Sequence, residues 1–286
     1  MVRAASGAQR RVSQAMRYWK GSIALSSTRD YPLLRQVLKS GFITHSQMFE
    51  FLRLDYCASS RNAFNNRVLR LVKHGLLVRH ELPFFNREVI YSISQAGAAE
   101  LVANGESCAH AAANGRVGQV QTTLYHSLDL NDVHLALKRT GTLVYWVPEM
   151  EIRSRSDLTA GGYWKYYDAV VLVRLAGQDC KFALEYERTP KAARHYVAVR
   201  QRIEMESSIP QFLYLMPNHD LLRFVVDKLF NCKRSIYFGL LRDFLQQTLA
   251  LPVRRNGSPA SLPLTSVQAQ GKEAQRTGTL FPGIAV

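Results

Sequence analysis

The sequence predicts an α+β fold: an N-terminal helical unit closed by a two-stranded ribbon, then an α/β domain around a mixed central sheet. Three observations carry this. Between residues 31 and 103, apolar residues first recur at helical spacing and then gather in two short runs of strand character. Residues 104–122 are rich in Ala, Gly and Asn with few large apolar residues, the composition of a linker. From 123 to 251, helical and strand-like segments alternate.

Composition bounds the partners. A chain of 286 residues with 47% apolar content can bury one large core or two ordinary ones. A formal charge of +15 points to a polyanionic partner, nucleic acid first and an acidic membrane surface second. Cys57, Cys108, Cys180 and Cys232 lie far apart with no C-x-x-C pair, which argues against structural zinc and for reduced thiols in the cytoplasm. No apolar run reaches the length of a membrane span, so no membrane partner is expected.

Residues 1–30 read as a basic, partly disordered leader. The first 29 residues carry no acid, and Arg10, Arg11, Arg17 and Lys20 are suited to phosphate contact. A solvated basic arm is the expectation here, ahead of a mitochondrial presequence. Pro32 opens a helix with Leu33, Leu34, Val37 and Leu38 on one stripe, ended by Gly41. Thr44 or Ser46 caps a second helix that turns Met48, Phe49 and Leu52 inward. Ser59-Ser60 precede a third helix, Arg61 to His74, stopped by Gly75. At about 100° per residue, Val68, Leu71 and Val72 cluster around Phe64. Asn66, Arg67, Arg70, Lys73 and His74 fall on an arc of roughly 120° on the other side. Asn, Arg and Lys are the side chains that reach base edges and phosphates in a major groove. Leu76–Val78 and Val89–Ile93 are short strands about a turn at Pro83–Arg87, and Ser94 caps a helix to Ala103.

In the second domain a helix spans Ser127 to Arg139 and a strand Leu143 to Val147, with Glu149 and Glu151 just beyond. Arg153–Tyr163 reads as a polar loop. Tyr166–Leu175 and Lys181–Thr189 are β-branched and aromatic runs joined at Ala176–Asp179, a hairpin. With the turn centred on Gly177-Gln178, Asp168 falls opposite Glu187, Val170 opposite Glu185 and Leu172 opposite Ala183. Alternate residues share a face, so Asp168, Glu185 and Glu187 gather at one end of the hairpin. Carboxylates this close repel, and a divalent cation with oxygen ligands, Mg²⁺ or Mn²⁺, would relieve both repulsion and desolvation. The alternative is ion pairing with Lys165, Arg188 or Lys191. A helix from about Lys191 to Glu206, a strand Gln211–Met216, a helix from Asp220, a strand Ser235–Gly239 and a helix to Leu251 follow. Residues 252–286, rich in Pro, Ser, Gly and Gln, predict a disordered tail.

Three helices followed by a two-stranded ribbon resemble a winged helix, most closely over "RVLRLVKHGLL" and "VIYSISQAGAAEL". That resemblance implies double-stranded DNA as partner. It makes Arg61, Asn65, Asn66, Arg67, Arg70 and Lys73 the groove residues, puts Arg87 at the wing and suggests homodimers on two-fold sites. Residues 1–105 support it with 15 Lys/Arg against 6 Asp/Glu, a surplus of 15 − 6 = +9.

The second domain resembles the PD-(D/E)XK nuclease core, with Asp168 and Glu185 at the positions of the two metal-binding acids. The departure is Glu187, which stands where that family has a lysine. A winged helix followed by Asp168 and then Glu185-Tyr186-Glu187-Arg188-Thr189 resembles the replication-relaxation family of plasmid and mobile-element proteins, over about residues 30–220. That family implies a bacterial, nucleoid- or plasmid-associated protein that binds DNA in replication, mobilisation or relaxation. With an active site, Asp168, Glu185 and Glu187 would hold Mg²⁺ or Mn²⁺ as ligands, and Lys191 or His195 would supply the missing cation. Without one, no cofactor is needed and the protein is a DNA-binding accessory factor. Metal-dependent endonuclease or nickase is the alternative, and a protein-interaction adaptor the third reading.

Overall fold

The structure, a computed structural model, describes residues 23–56, 60–81, 88–106, 117–158 and 162–266. In the N-terminal unit, α1 (Asp30–Ser40) buries Leu33, Leu34, Val37 and Leu38 and ends at Gly41, whose φ of 68° suits a residue without a Cβ. After β1 (Ile43–Thr44), α2 (His45–Tyr56) opens with a reciprocal cap. Gln47 N–H donates to Thr44 Oγ1 (3.1 Å) and Thr44 N–H to Gln47 Oε1 (3.2 Å). Ser60 caps α3 (Arg61–Lys73) by accepting from Ala63 N–H. β2 (Leu77–His80) and β3 (Ile90–Ile93) follow, and Ser94 caps α4 (Gln95–Ala103) by accepting from Gly97 N–H. The three strands form one antiparallel sheet in the order β1-β3-β2. Phe51, Phe64, Leu71 and Tyr91 fill the core beneath it. The turn expected at Pro83–Arg87 lies outside the described residues, as do residues 1–22 of the leader.

The second unit begins earlier than its sequence suggests, with α5 running from Val117 to Arg139 rather than from Ser127. β4 (Leu143–Pro148) leads into α6 (Glu149–Leu158), where a loop was expected from Arg153. Buried Ile152, a Glu149–Arg153 ion pair one turn apart (2.6 Å) and acids in the first turn stabilise that helix. β5 (Ala169–Leu175), β6 (Gln178–Tyr186), α7 (Ala193–Met205), β7 (Phe212–Met216), α8 (His219–Leu229), β8 (Ile236–Leu240) and α9 (Leu241–Gln247) complete the α/β pattern. Two more strands, β9 (Pro252–Arg255) and β10 (Ser261–Pro263), occupy part of the stretch expected to be disordered. Apolar residues are sparse there, yet Leu251, Val253 and Leu264 are buried in the core, and Asn256 bonds both Cys232 O and Ile236 N–H. A few buried side chains and one asparagine are too weak a signal for periodicity to detect.

The seven strands form a mixed sheet in the order β10-β9-β8-β7-β6-β5-β4, parallel only across β6-β7-β8. Those parallel steps need crossovers, which α7 and α8 provide. One face packs beneath α5 and α9, the other beneath α6, α7 and α8. With nine α-helices among the described residues, the molecule is α+β, as expected.

The hairpin register differs from expectation by two residues. The chain turns over Ala176-Gly177 alone, both at positive φ (49° and 77°), the conformation of a two-residue type I′ turn. Val170 therefore faces Ala183, not Glu185, and Leu172 faces Lys181. Continuing that register sets Asp168 level with Glu185 rather than Glu187. An even shift keeps every strand side chain on its face, so Glu185 and Glu187 still share one. Asp168, however, precedes β5, where Tyr167 already joins the face of Val170, and its carboxylate turns to His126 on α5.

Both units lean on α5. Gln47 Nε2 donates to Leu128 O (2.9 Å) and to Asp132 Oδ1 (2.7 Å), Asn131 Nδ2 donates to Phe42 O (2.8 Å), and Leu135 enters the N-terminal core. Gln47→Ala leaves the Asp132 and Leu128 acceptors without their donor, so it should cost about 1–3 kcal/mol. Chemical denaturation read by circular dichroism checks this; an unchanged midpoint would contradict it.

Candidate functional site

Glu185 lies on β6 and Glu187 just past its end, where Glu187 N–H still donates to Leu215 O (3.0 Å). Both side chains face the layer containing α7 and α8, and both residues are 4% exposed. Each has its own cation. Lys165, in the segment before β5, ion-pairs with Glu185, and Lys191 Nζ donates to Glu187 Oε2 at 2.7 Å. Asp168 caps the other strand: Oδ1 meets His126 Nε2 (3.0 Å) and Oδ2 accepts from Tyr186 N–H (2.7 Å). His126 reaches it from α5 and stacks on the Tyr186 ring (centroids 5.5 Å apart). Of the anticipated ion-pair partners, Lys165 and Lys191 take up that role, while Arg188 pairs with Asp129 (3.9 Å) and lies over the Tyr125 ring.

The electrostatics follow from burial. Desolvation, countered only in part by Lys165, and the Asp168 charge push the Glu185 carboxyl up to about 7. Desolvation acts on Asp168 as well, but the His126 hydrogen bond, the charges of His126 and Lys165 and the Tyr186 N–H together hold it below its ordinary value. For His126 burial lowers the value, and the Asp168 bond with three nearby acids outweighs it. Tyr214 stands beside Glu185 on the neighbouring strand, and its buried hydroxyl has no hydrogen-bond partner among the described residues. The nearby charges of Glu185, Glu187 and Asp168, added to burial, hold that phenol protonated.

The oxygen donors suit a divalent cation in type. Their arrangement does not fit one: ammonium groups occupy the carboxylates, both Asp168 oxygens are engaged, and among the described residues no group of three or more His, Cys, Asp or Glu is placed to hold a metal. Asp168, His126 and Glu149 line a cleft of about 1010 Å³ between the two units, whereas Glu185 and Glu187 do not reach it. Nearby, Glu149 donates its N–H to Asp168 O (3.0 Å), while Asn131 and Asp132 turn away to the N-terminal unit. His195 is exposed on α7.

The α3 residues divide. Arg67 and Arg70 are drawn to buried Asp30, at 3.3 and 2.6 Å. Asn65 Oδ1 meets His45 Nε2 (2.9 Å), and the Arg61 guanidinium lies 4.5 Å from the Phe49 ring centroid. Asn66 and Lys73 stay exposed on the helix surface. Arg87 lies outside the described residues. Sequence periodicity put Arg67 and Arg70 on the open arc because it could not see Asp30, which α1 brings against their flank.

No protein-family model matches this sequence, and no curated protein matches it. Among solved structures, restriction endonuclease FokI bound to DNA aligns at 11% identity with a TM-score of 0.24, over 86% of this chain. The chain spans 46% of the length of that protein.

Two predictions follow from the ion pairs. Lys165→Met strands Glu185 in the core and should destabilise the protein by about 3–5 kcal/mol, whereas Lys165→Met/Glu185→Leu should recover most of the loss. Equal losses in the single and double variants, measured by urea denaturation, would contradict the pairing. The pH dependence has a definite sign. The folded state holds the Glu185 proton more tightly than the unfolded chain, so this contribution to stability is full below the ordinary carboxylate range and is lost as pH rises toward 7. His126, also raised, acts in the same direction, and Asp168, lowered, acts oppositely at the acid end. The groups facing Glu185 are Lys165, Asp168, Lys191 and the Tyr214 phenol. Melting temperature should fall from about pH 5 to pH 8, and Glu185→Gln should flatten that slope.

Proposed function

We propose that this chain is a DNA-binding accessory protein of plasmid or mobile-element replication, relaxation or mobilisation. Its N-terminal unit acts as a winged helix that lays α3 in the major groove of duplex DNA. Its α/β unit is a nuclease-like domain that binds without cutting. The observation that carries the reading is the exposed polar face of α3, with Asn66 and Lys73, on a helical unit completed by a three-stranded sheet. The surplus of +9 over residues 1–105 supports it. The non-cutting half rests on the ammonium partners of Glu185 and Glu187.

A second reading, a Mg²⁺- or Mn²⁺-dependent nickase targeted by the same helix, is favoured by Asp168 standing level with Glu185. One experiment weighs both. Supercoiled plasmid is incubated with the protein in Mg²⁺ or Mn²⁺, beside Asp168→Asn/Glu185→Gln. The proposal expects intact plasmid, shifted equally by both proteins. Nicked or linear product from the wild type alone would replace it with the nuclease reading. On short duplexes, Asn66→Ala should cost about 1–3 kcal/mol and relax sequence preference. Lys73→Ala should lower the salt slope by about 0.9. Salt-independent binding would favour a protein-docking role instead.

A further inference from the structure

The second unit carries a basic surface that the α3 reading leaves unused. Most arginines in the described residues are neutralised internally, as in Arg53–Glu50, Arg153–Glu149, Arg174–Asp179 and Arg223–Asp220. Helix α7 departs from this. It buries Tyr196 and Ile203. At about 100° per residue, Arg194, His195, Ala198, Gln201, Arg202 and Met205 share an arc of roughly 120° on its opposite side. All six are exposed, and that arc carries no carboxylate. Arg194 and Arg202 have no carboxylate, ring or hydrogen-bond partner among the described residues. They lie eight residues apart, about 12 Å along the helix.

An independent feature flanks this face. Trp164 is 54% exposed, and its indole has neither a hydrogen bond nor a ring neighbour among the described residues. Its backbone N–H donates to Glu206 Oε2 (3.1 Å), which anchors it beside the C-terminal end of α7. Met205, 52% exposed, ends the same helix. An exposed indole at one end of a helix face that carries unneutralised arginines is a combination that receives unpaired nucleic acid, since a base stacks on the ring while cations follow the phosphates. Duplex DNA hides its base faces, and would have to unstack a base step to meet that ring.

We infer that the outer face of α7, with Trp164, is a contact surface for single-stranded DNA, separate from the duplex-binding face of α3. It does not depend on α3 reading duplex DNA. The test uses the full chain and a thymidine oligomer about twelve nucleotides long, within the site size of single-strand binders. Titration is followed by tryptophan fluorescence and repeated across salt concentrations.

Wild type should bind with quenching. Trp164→Ala should abolish the quench and weaken binding about five- to hundredfold. Arg194→Gln/Arg202→Gln should reduce the salt slope by about 1.4, at 0.7 per phosphate on a single strand. All three side chains are exposed, so melting temperatures should not move. Duplex binding should be unchanged in these variants and reduced in Asn66→Ala/Lys73→Ala. Oligomer affinity and slope equal to wild type in both α7-face variants would overturn the inference, as would loss of oligomer binding in the α3 variant instead. Either result leaves the duplex reading to stand or fall on its own measurement. Failure of the wild type to bind duplex, with oligomer binding intact, would end the α3 reading and leave this one standing.

Discussion

Two carboxylates buried on the apolar face of a sheet set the terms for the second unit. Glu185 and Glu187 are almost entirely removed from water, and an unpaired charge there is too costly to keep. The chain answers with lysines from two directions, Lys165 ahead of β5 and Lys191 ahead of α7. Asp168, at the neighbouring strand end, is held by a histidine from α5 and by a backbone N–H. The hairpin, the entry to α7 and the first half of α5 therefore meet at one electrostatic knot. Each acid is answered within the chain, so the fold does not need a foreign cation to close.

α5 extends this arrangement to the rest of the molecule. His126 in its first half touches Asp168, Asn131 and Asp132 hold α2 and the approach to β1, and Leu135 belongs to the N-terminal core. One helix thus connects the acid site to the unit that carries α3. Lys138–Asp55 and Arg139–Glu50 continue the seam at its C-terminal end. The cleft between the units opens onto His126 and Asp168, the solvent-facing side of the acid cluster. α5 therefore packs on α1, α2 and β1 of the unit that carries α3 and, through His126, on Asp168.

Legibility followed the range of the physics involved. Local signals were readable: the caps at Thr44, Ser60 and Ser94, the stop at Gly41 and the stripe of α1 all appear where their chemistry puts them. The shared face of Glu185 and Glu187 was readable too, because strand alternation survives a two-residue error in register, whereas the turn of Asp168 toward His126 on α5 was not. What distant segments bring was hidden. Asp30 takes Arg67 and Arg70 from the α3 face, and nothing near residue 67 announces it. Asn131 and Asp132 turn out to join the units, a role that only tertiary docking reveals. The strands from Pro252 onward form because an existing sheet edge accepts them. The surplus positive charge was legible as a total, but that Arg194 and Arg202 stay without a carboxylate partner among the described residues required knowing which arginines find acids at home.

The central claim is that the chain's own cations close the acid cluster. The most direct measurement is the melting temperature of the wild-type protein in chelator and again in millimolar Mg²⁺ and Mn²⁺. A ligand that binds only the folded state raises the midpoint in proportion to its occupancy. The account predicts the same midpoint in all three conditions. A rise of several degrees with metal, lost in Asp168→Asn, would show that Lys165 and Lys191 yield to a divalent ion and would contradict it.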